Sequence, residues 1–193
     1  LWHMDNLSSF GENSSLVYDF SDENKFNGTT NGPVFNVSGG KFAGAYEFDG
    51  INDYIDLIDS GTGLNISENL TVTAWFKIKQ LTGTNTIIAK RRFNNGNSFS
   101  LQVIGDASNF TRCNLKTNTS LLVSLDSATN SISTDTWYHT ACTWNGTTGN
   151  IYLSGSSKAT SSALTGLLDY STDDIRIGTD PFAATTNPFK GTV

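Results

Sequence analysis

The stretch from Leu70 to Lys79 narrows the possible folds of this chain more than any other. Leu70, Val72, Ala74, Phe76 and Ile78 fall on one side of an extended backbone, and Thr71, Thr73, Trp75, Lys77 and Lys79 on the other. A two-residue period marks a strand with one face in a core and the other in water. The same reading predicts strands over 98–104, 110–116, 121–125, 137–144, 151–153 and 174–177. Leu1-Trp2-His3-Met4 and Gly191-Thr192-Val193 also read as strand. Asn94-Asn95-Gly96, Gly105-Asp106, Gly39-Gly40 and Asn145-Gly146-Thr147-Thr148-Gly149 supply turn positions between them. Asp49-Gly50 reads as a hairpin turn between strands ending at Phe48 and starting at Tyr54. No stretch holds a capped 3.6-residue apolar period, so at most one or two helical turns are expected. Many short strands with regular turns predict an all-β, two-sheet antiparallel sandwich.

The chain of 193 residues shows no internal repeat, linker or low-complexity tract, so 1–193 reads as a single domain. Its ends read as strand, and the expectation is a unit cut from a larger multidomain surface protein. Only 16% of residues are charged, so Ser, Thr and Asn supply most of the polar surface. The net charge of −6 repels nucleic acid, and Lys90-Arg91-Arg92 reads as a solvated strand end rather than a phosphate-binding stripe. No apolar run reaches the roughly 20 residues of a membrane-spanning helix. The acceptor pattern Asn-x-Ser/Thr recurs at Asn6, Asn13, Asn27, Asn36, Asn65, Asn69, Asn109, Asn118 and Asn145, in keeping with an extracellular glycoprotein. Cys113 and Cys142 both lie in strand-like segments, and they form either one disulfide or a buried thiol pair. An exposed compartment favours the disulfide.

Several phrases, in order, resemble the laminin-G-like, concanavalin A-like jelly-roll superfamily. They begin with Tyr18-Asp19-Phe20-Ser21 leading into Phe26-Asn27-Gly28-Thr29. Gly40-Lys41-Phe42-Ala43-Gly44-Ala45-Tyr46-Glu47-Phe48-Asp49-Gly50 then runs to Asp53-Tyr54-Ile55. Leu70 to Phe76, Trp137-Tyr138-His139-Thr140-Ala141, Ile151-Tyr152-Leu153 and Pro188-Phe189-Lys190-Gly191-Thr192-Val193 complete the set. The resemblance implies a jelly roll, and in the family an acidic strand follows the last phrase. This chain stops before such a closing strand.

The fold also hosts glucanases, which resemble one another in a Glu-x-Asp-x-x-Glu strand that pairs an acid with a nucleophile. Glu12, Glu23, Glu47 and Glu68 lie in separate segments, and no Gly-x-Ser-x-Gly elbow is present. His139 sits inside a framework phrase, where a packed histidine is expected. The reading is therefore not an enzyme. Asp19, Asp22, Asn24 and Asn27 concentrate hard oxygens in one loop and are the candidate calcium ligands, a structural ion that the resemblance also implies. The competing reading has Asp19 and Asn24 capping turns through their own backbone.

For a sugar, Trp144 beside the Asn145-Gly146 turn and Tyr170 are the candidate ligand-binding aromatics. Trp75 points away from the apolar face, but its framework phrase assigns it to packing. The function expected is non-catalytic recognition or adhesion, binding glycan or a surface protein at a cell or virion surface. The alternative is a structural domain of an envelope or virion protein that contacts copies of itself or sibling domains.

Overall fold

Alternation along the chain builds two antiparallel sheets with their apolar faces pressed together. The computed structural model describes residues 1–21, 26–57, 64, 66–92, 96–119, 122–169, 174–181 and 186–193. Among these, one 3₁₀ turn at Ser8–Phe10 is the only helical element, and the rest is strand and loop. The early strands are β1 (Leu16–Val17), β2 (Gly28–Asn31), β3 (Val34–Asn36), β4 (Ala45–Asp49) and β5 (Tyr54–Leu57). The long middle strands are β6 (Leu70–Ile78), β7 (Thr84–Arg92), β8 (Gly96–Ile104), β9 (Phe110–Lys116) and β10 (Leu122–Asp126). Last come β11 (Trp137–Trp144), β12 (Gly149–Leu153), β13 (Ser156–Ser161), β14 (Ile175–Ile177) and β15 (Lys190–Thr192).

One sheet has eight strands in the order β1-β2-β5-β14-β7-β8-β9-β10, and the other seven in the order β13-β12-β11-β6-β15-β4-β3. Non-consecutive neighbours such as β6 and β15 mean that the chain crosses repeatedly between sheets, as a jelly roll does. Strand β6 obeys its alternation: Leu70, Val72, Phe76 and Ile78 are buried, while Thr71, Thr73 and Trp75 are exposed. Its core face meets Leu101, Leu115, Ile55 and Ile177 in one cluster. Cys113 of the eight-stranded sheet and Cys142 of the seven-stranded sheet are joined as a disulfide, with Cα atoms 5.9 Å apart. The bond therefore ties the two sheets through the middle of the core, where both cysteines are fully buried.

Three readings of the sequence are corrected, and one strand was missed. Asp49-Gly50 does not close a hairpin, because β4 and β5 lie in different sheets and the turn carries the chain across the sandwich. Asp53 organises that crossing by accepting the Asp49 N–H at 2.8 Å. Leu1–Met4 is not a strand. Lys90 is 1% exposed, opposite the core residues Phe99 and Ile175, so it is not a solvated strand end. Strand β7 itself was hidden because its register shifts between Thr86 and Ile88, which turns both Ile87 and Ile88 inward and breaks the alternation.

Candidate binding surface

Register decides which side chains share the outer face of the seven-stranded sheet. Strand β11 pairs with β6 so that His139 stands opposite Trp75 and Trp137 opposite Lys77. All four point away from the core, since Val72, Phe76, Thr140 and Cys142 occupy the inward positions. The Trp75 and His139 rings lie 5.3 Å apart between centroids.

A tight turn brings in the third ring. Gly40 N–H donates to the Ala43 carbonyl at 2.8 Å, which places Lys41 and Phe42 at the tip of the turn. A Cβ on Gly40 would collide with the Ala43 and Gly44 carbonyl oxygens, so glycine is required for this close approach. Phe42 meets Trp75 edge to face at 5.6 Å, and the Lys41 ammonium sits 5.4 Å from the Trp75 ring centre. Lys77 lies 5.2 Å from the ring centre of Trp137. Phe42 remains 83% exposed and Trp75 38% exposed. Aromatic area of that size left in water, with cations against the ring faces, suits a partner that offers apolar surface and hydrogen-bonding groups together.

Beside these rings a groove of about 650 Å³ runs into the sandwich. Thr71–Trp75 form one wall, Lys41–Ala45 the other, and Val193 closes one end. Ile87, Ile88 and Ile177 of the opposite sheet lie at its floor, and Leu1–Asp5 flank it.

The residues singled out from sequence fall elsewhere. Trp144 is corrected outright: it is 2% exposed and belongs to the core cluster, so it presents no face to a sugar. Its position follows from parity, because it shares the inward side of β11 with Thr140 and Cys142, opposite Leu70. Tyr170 lies outside the described residues, as do Asp22 and Asn24.

Asp19 and Asn27 are brought together, in the manner of a hydrogen-bonded turn. Asn27 Oδ1 accepts the Asp19 N–H at 2.8 Å. The Asp19 carboxylate accepts the Ser21 N–H at 3.0 Å and the Ser21 hydroxyl at 2.8 Å. Burial opposes its ionisation, but the two Ser21 bonds draw the carboxyl below its ordinary range. These bonds are those of a capped turn, and the other two candidate calcium ligands, Asp22 and Asn24, lie outside the described residues.

Only the outward direction of Trp75 was within reach of the sequence, not its contact with Phe42. Alternation alone puts Trp75 outward, and Phe42 sits in a glycine-rich turn; the framework phrase drew Trp75 towards a packing role instead. His139 is half buried and packs against Trp75 on the outer face.

The architecture defines the class: an antiparallel jelly-roll sandwich with one aromatic outer face. The chain belongs to the concanavalin A-like lectin/glucanases superfamily, whose laminin G family model matches residues 48–193. Among solved structures it is similar to the binding domain of botulinum neurotoxin serotype G, with TM-score 0.63 and 18% identity over 93% of this chain. It spans only 47% of that toxin domain. Domain 4 of AbnA, a GH43 extracellular arabinanase from Geobacillus stearothermophilus solved with arabinotriose, gives TM-score 0.61 and 21% identity. That match covers 89% of this chain and 81% of the other. Domains LG4-5 of the mouse laminin alpha1 chain give TM-score 0.61 at 15% identity, covering 77% of this chain and 38% of the other. No curated protein sequence matches. Among the described residues no helix is long and apolar enough to cross a membrane.

Proposed function

We propose that this domain is a non-catalytic recognition module that binds a glycan through the outer face of its seven-stranded sheet. The observation that carries the reading is the exposed pair Phe42 and Trp75, held edge to face and flanked by Lys41 and His139. An indole at the rim of a groove offers a flat apolar surface to a sugar ring, while the lysine, the histidine and Thr73 offer polar partners. Two of the similar folds support the reading by what they are: one is a toxin's binding domain, the other was solved with an arabinose oligosaccharide. An inter-sheet disulfide suits display outside the cell, on a cell or virion surface.

The test is a glycan array of the isolated domain, run with calcium and with chelator. Binding to a defined sugar class supports the module, and silence in both conditions overturns the glycan reading. A structural calcium at the Asp19–Asn27 loop is carried as a separate proposal. A melting midpoint that falls on chelation in metal-free buffer supports it, and an unchanged midpoint leaves a turn alone.

A further inference from the structure

Two of the Asn-x-Ser/Thr patterns fold into the same local turn but use the asparagine nitrogen differently. Asn36 Oδ1 accepts the Ser38 N–H at 3.1 Å and the Ser38 hydroxyl at 3.4 Å, while its Nδ2 donates to Glu47 Oε1 at 2.8 Å. Asn145 Oδ1 accepts the Thr147 N–H and the Thr147 hydroxyl, both at 3.1 Å, and the Thr148 N–H at 2.8 Å. All three bonds end on the oxygen, and among the described residues Asn145 Nδ2 has no partner.

The Asn145 pattern also stands clear of both sheets. Trp144 pairs with Gly149 at the end of β11 and β12, so residues 145–148 form the loop of that hairpin. The Asn145 N–H donates to the Thr148 carbonyl at 3.3 Å, and Gly146 takes φ +88° between them. Asn145 and Thr147 are both exposed.

The other patterns are tied into the fold. Asn69 is exposed, but Leu70 and Thr71 belong to β6, and Leu70 is buried. Asn27 accepts the Asp19 N–H and precedes the buried Gly28. Asn109 precedes the buried Phe110, and the Asn6 Oδ1 is itself buried. Asn13 is exposed, yet its segment is bonded to Leu16, Thr30 and the Tyr46 hydroxyl. The Asn118 pattern ends at Ser120, which lies outside the described residues, as does Asn65.

We propose that Asn145 is an attachment site for an N-linked glycan. The donor class is an oligosaccharide carried on a polyisoprenyl diphosphate. Asn145 Nδ2 bonds to the anomeric carbon as the carbon–oxygen bond to the diphosphate breaks. The diphosphate leaves with that electron pair, and Nδ2 gives up one of its two protons. The product amide keeps its oxygen and one N–H, so the three bonds that shape the turn survive attachment. Asn145 lies six residues along the strand from His139, about 20 Å at the usual rise, so the glycan is rooted away from the Trp75 cluster. A bulky, solubilising group there keeps the hairpin end of the sandwich in water. The proposal goes beyond glycan recognition, because here the domain bears a sugar rather than binding one.

The test secretes the 193-residue chain from a cultured cell line that N-glycosylates its exported proteins, with intact glycopeptides read by mass spectrometry. The peptide spanning Asn145 is expected to carry a glycan. Asn145→Gln and Thr147→Ala are expected to lose it, and Thr147→Ser, which keeps a hydroxyl at the third position, is expected to retain it. A bare Asn145 in the secreted, folded protein overturns the proposal, most plainly if Asn36 is occupied instead. A second readout is the melting midpoint before and after the glycan is trimmed to its first sugar. Trimming is expected to move it by less than about 2 °C, as an exposed surface change does. A rise of several degrees would show that the glycan holds the native turn open, and would overturn the proposal as well.

Discussion

The outer faces of the two sheets arise from the same alternation yet treat their polar and aromatic groups in opposite ways. On the eight-stranded sheet, Ser100, Gln102, Asn114 and Ser124 form a closed network. Asn114 Nδ2 donates to Ser100 and Gln102 at 3.0 Å, and Ser124 donates to Asn114 Oδ1 at 2.6 Å. Beside it Arg112 makes a two-pronged pair with Asp126 at 2.7 and 2.8 Å. That face spends its hydrogen-bonding capacity on itself. On the seven-stranded sheet, Trp75 meets Phe42 on one side and His139 on the other, and ring surface is left in water. Internally satisfied groups stabilise a fold, whereas exposed rings stabilise little until a partner covers them.

Removing what holds the two sheets together has the largest expected effect. Replacing Cys113 and Cys142 with alanine opens a 29-residue closure, worth about 3–4 kcal/mol in the chain-entropy account. Calorimetry is expected to show a midpoint about 10 °C lower, given the usual scaling for a chain of this size. A drop of only one or two degrees would mean that the apolar core alone fixes the sandwich.

Single substitutions then separate the faces. Asn114→Ala strands the partners Ser100, Gln102 and Ser124 in a site where Asn114 is 8% exposed, and is expected to cost about 2 kcal/mol in denaturant unfolding. Trp75→Ala is expected to cost less than about 1 kcal/mol, as a partly exposed side chain does. Equal costs would erase the distinction between the faces.

The smallest effect is electrostatic. The Asn36 amide, and then Lys79, hold the Glu47 carboxyl below its ordinary 4.5. Because its folded value lies below its unfolded one, the stabilisation is complete above pH 4.5 and is lost as pH falls through the folded value. Glu47→Gln is expected to lower stability at pH 7 by about 0.5 kcal/mol or less, the scale of a surface pair, and the gap to the wild type is expected to close in acid. A gap that widens in acid would contradict the sign of the shift.

Most of the sandwich was legible because burying one face of a strand imposes a period of two. The predicted segments over 110–116 and 137–144 coincide with β9 and β11. What escaped did so for local reasons. Strand β7 carries a bulge, and β13 (Ser156–Ser161) is a polar strand at the end of its sheet with no alternation to detect. The Asp49-Gly50 turn looks the same in sequence whether it closes a hairpin or crosses between sheets, because both need a residue such as Gly50 at φ +79°. The site was less legible than the fold. Trp144 lies next to a turn but its parity is inward, whereas Phe42 reaches Trp75 only through the folding of a distant glycine turn. No spacing along the chain encodes that contact.

The most direct test of the account is a glycan array comparing the wild-type domain with Trp75→Ala and with Arg112→Ala, each shown to be folded by circular dichroism. The account predicts that the glycans bound by the wild type are lost in Trp75→Ala and retained in Arg112→Ala. Retention in Trp75→Ala, or loss in Arg112→Ala alone, would move recognition to the other sheet and contradict it.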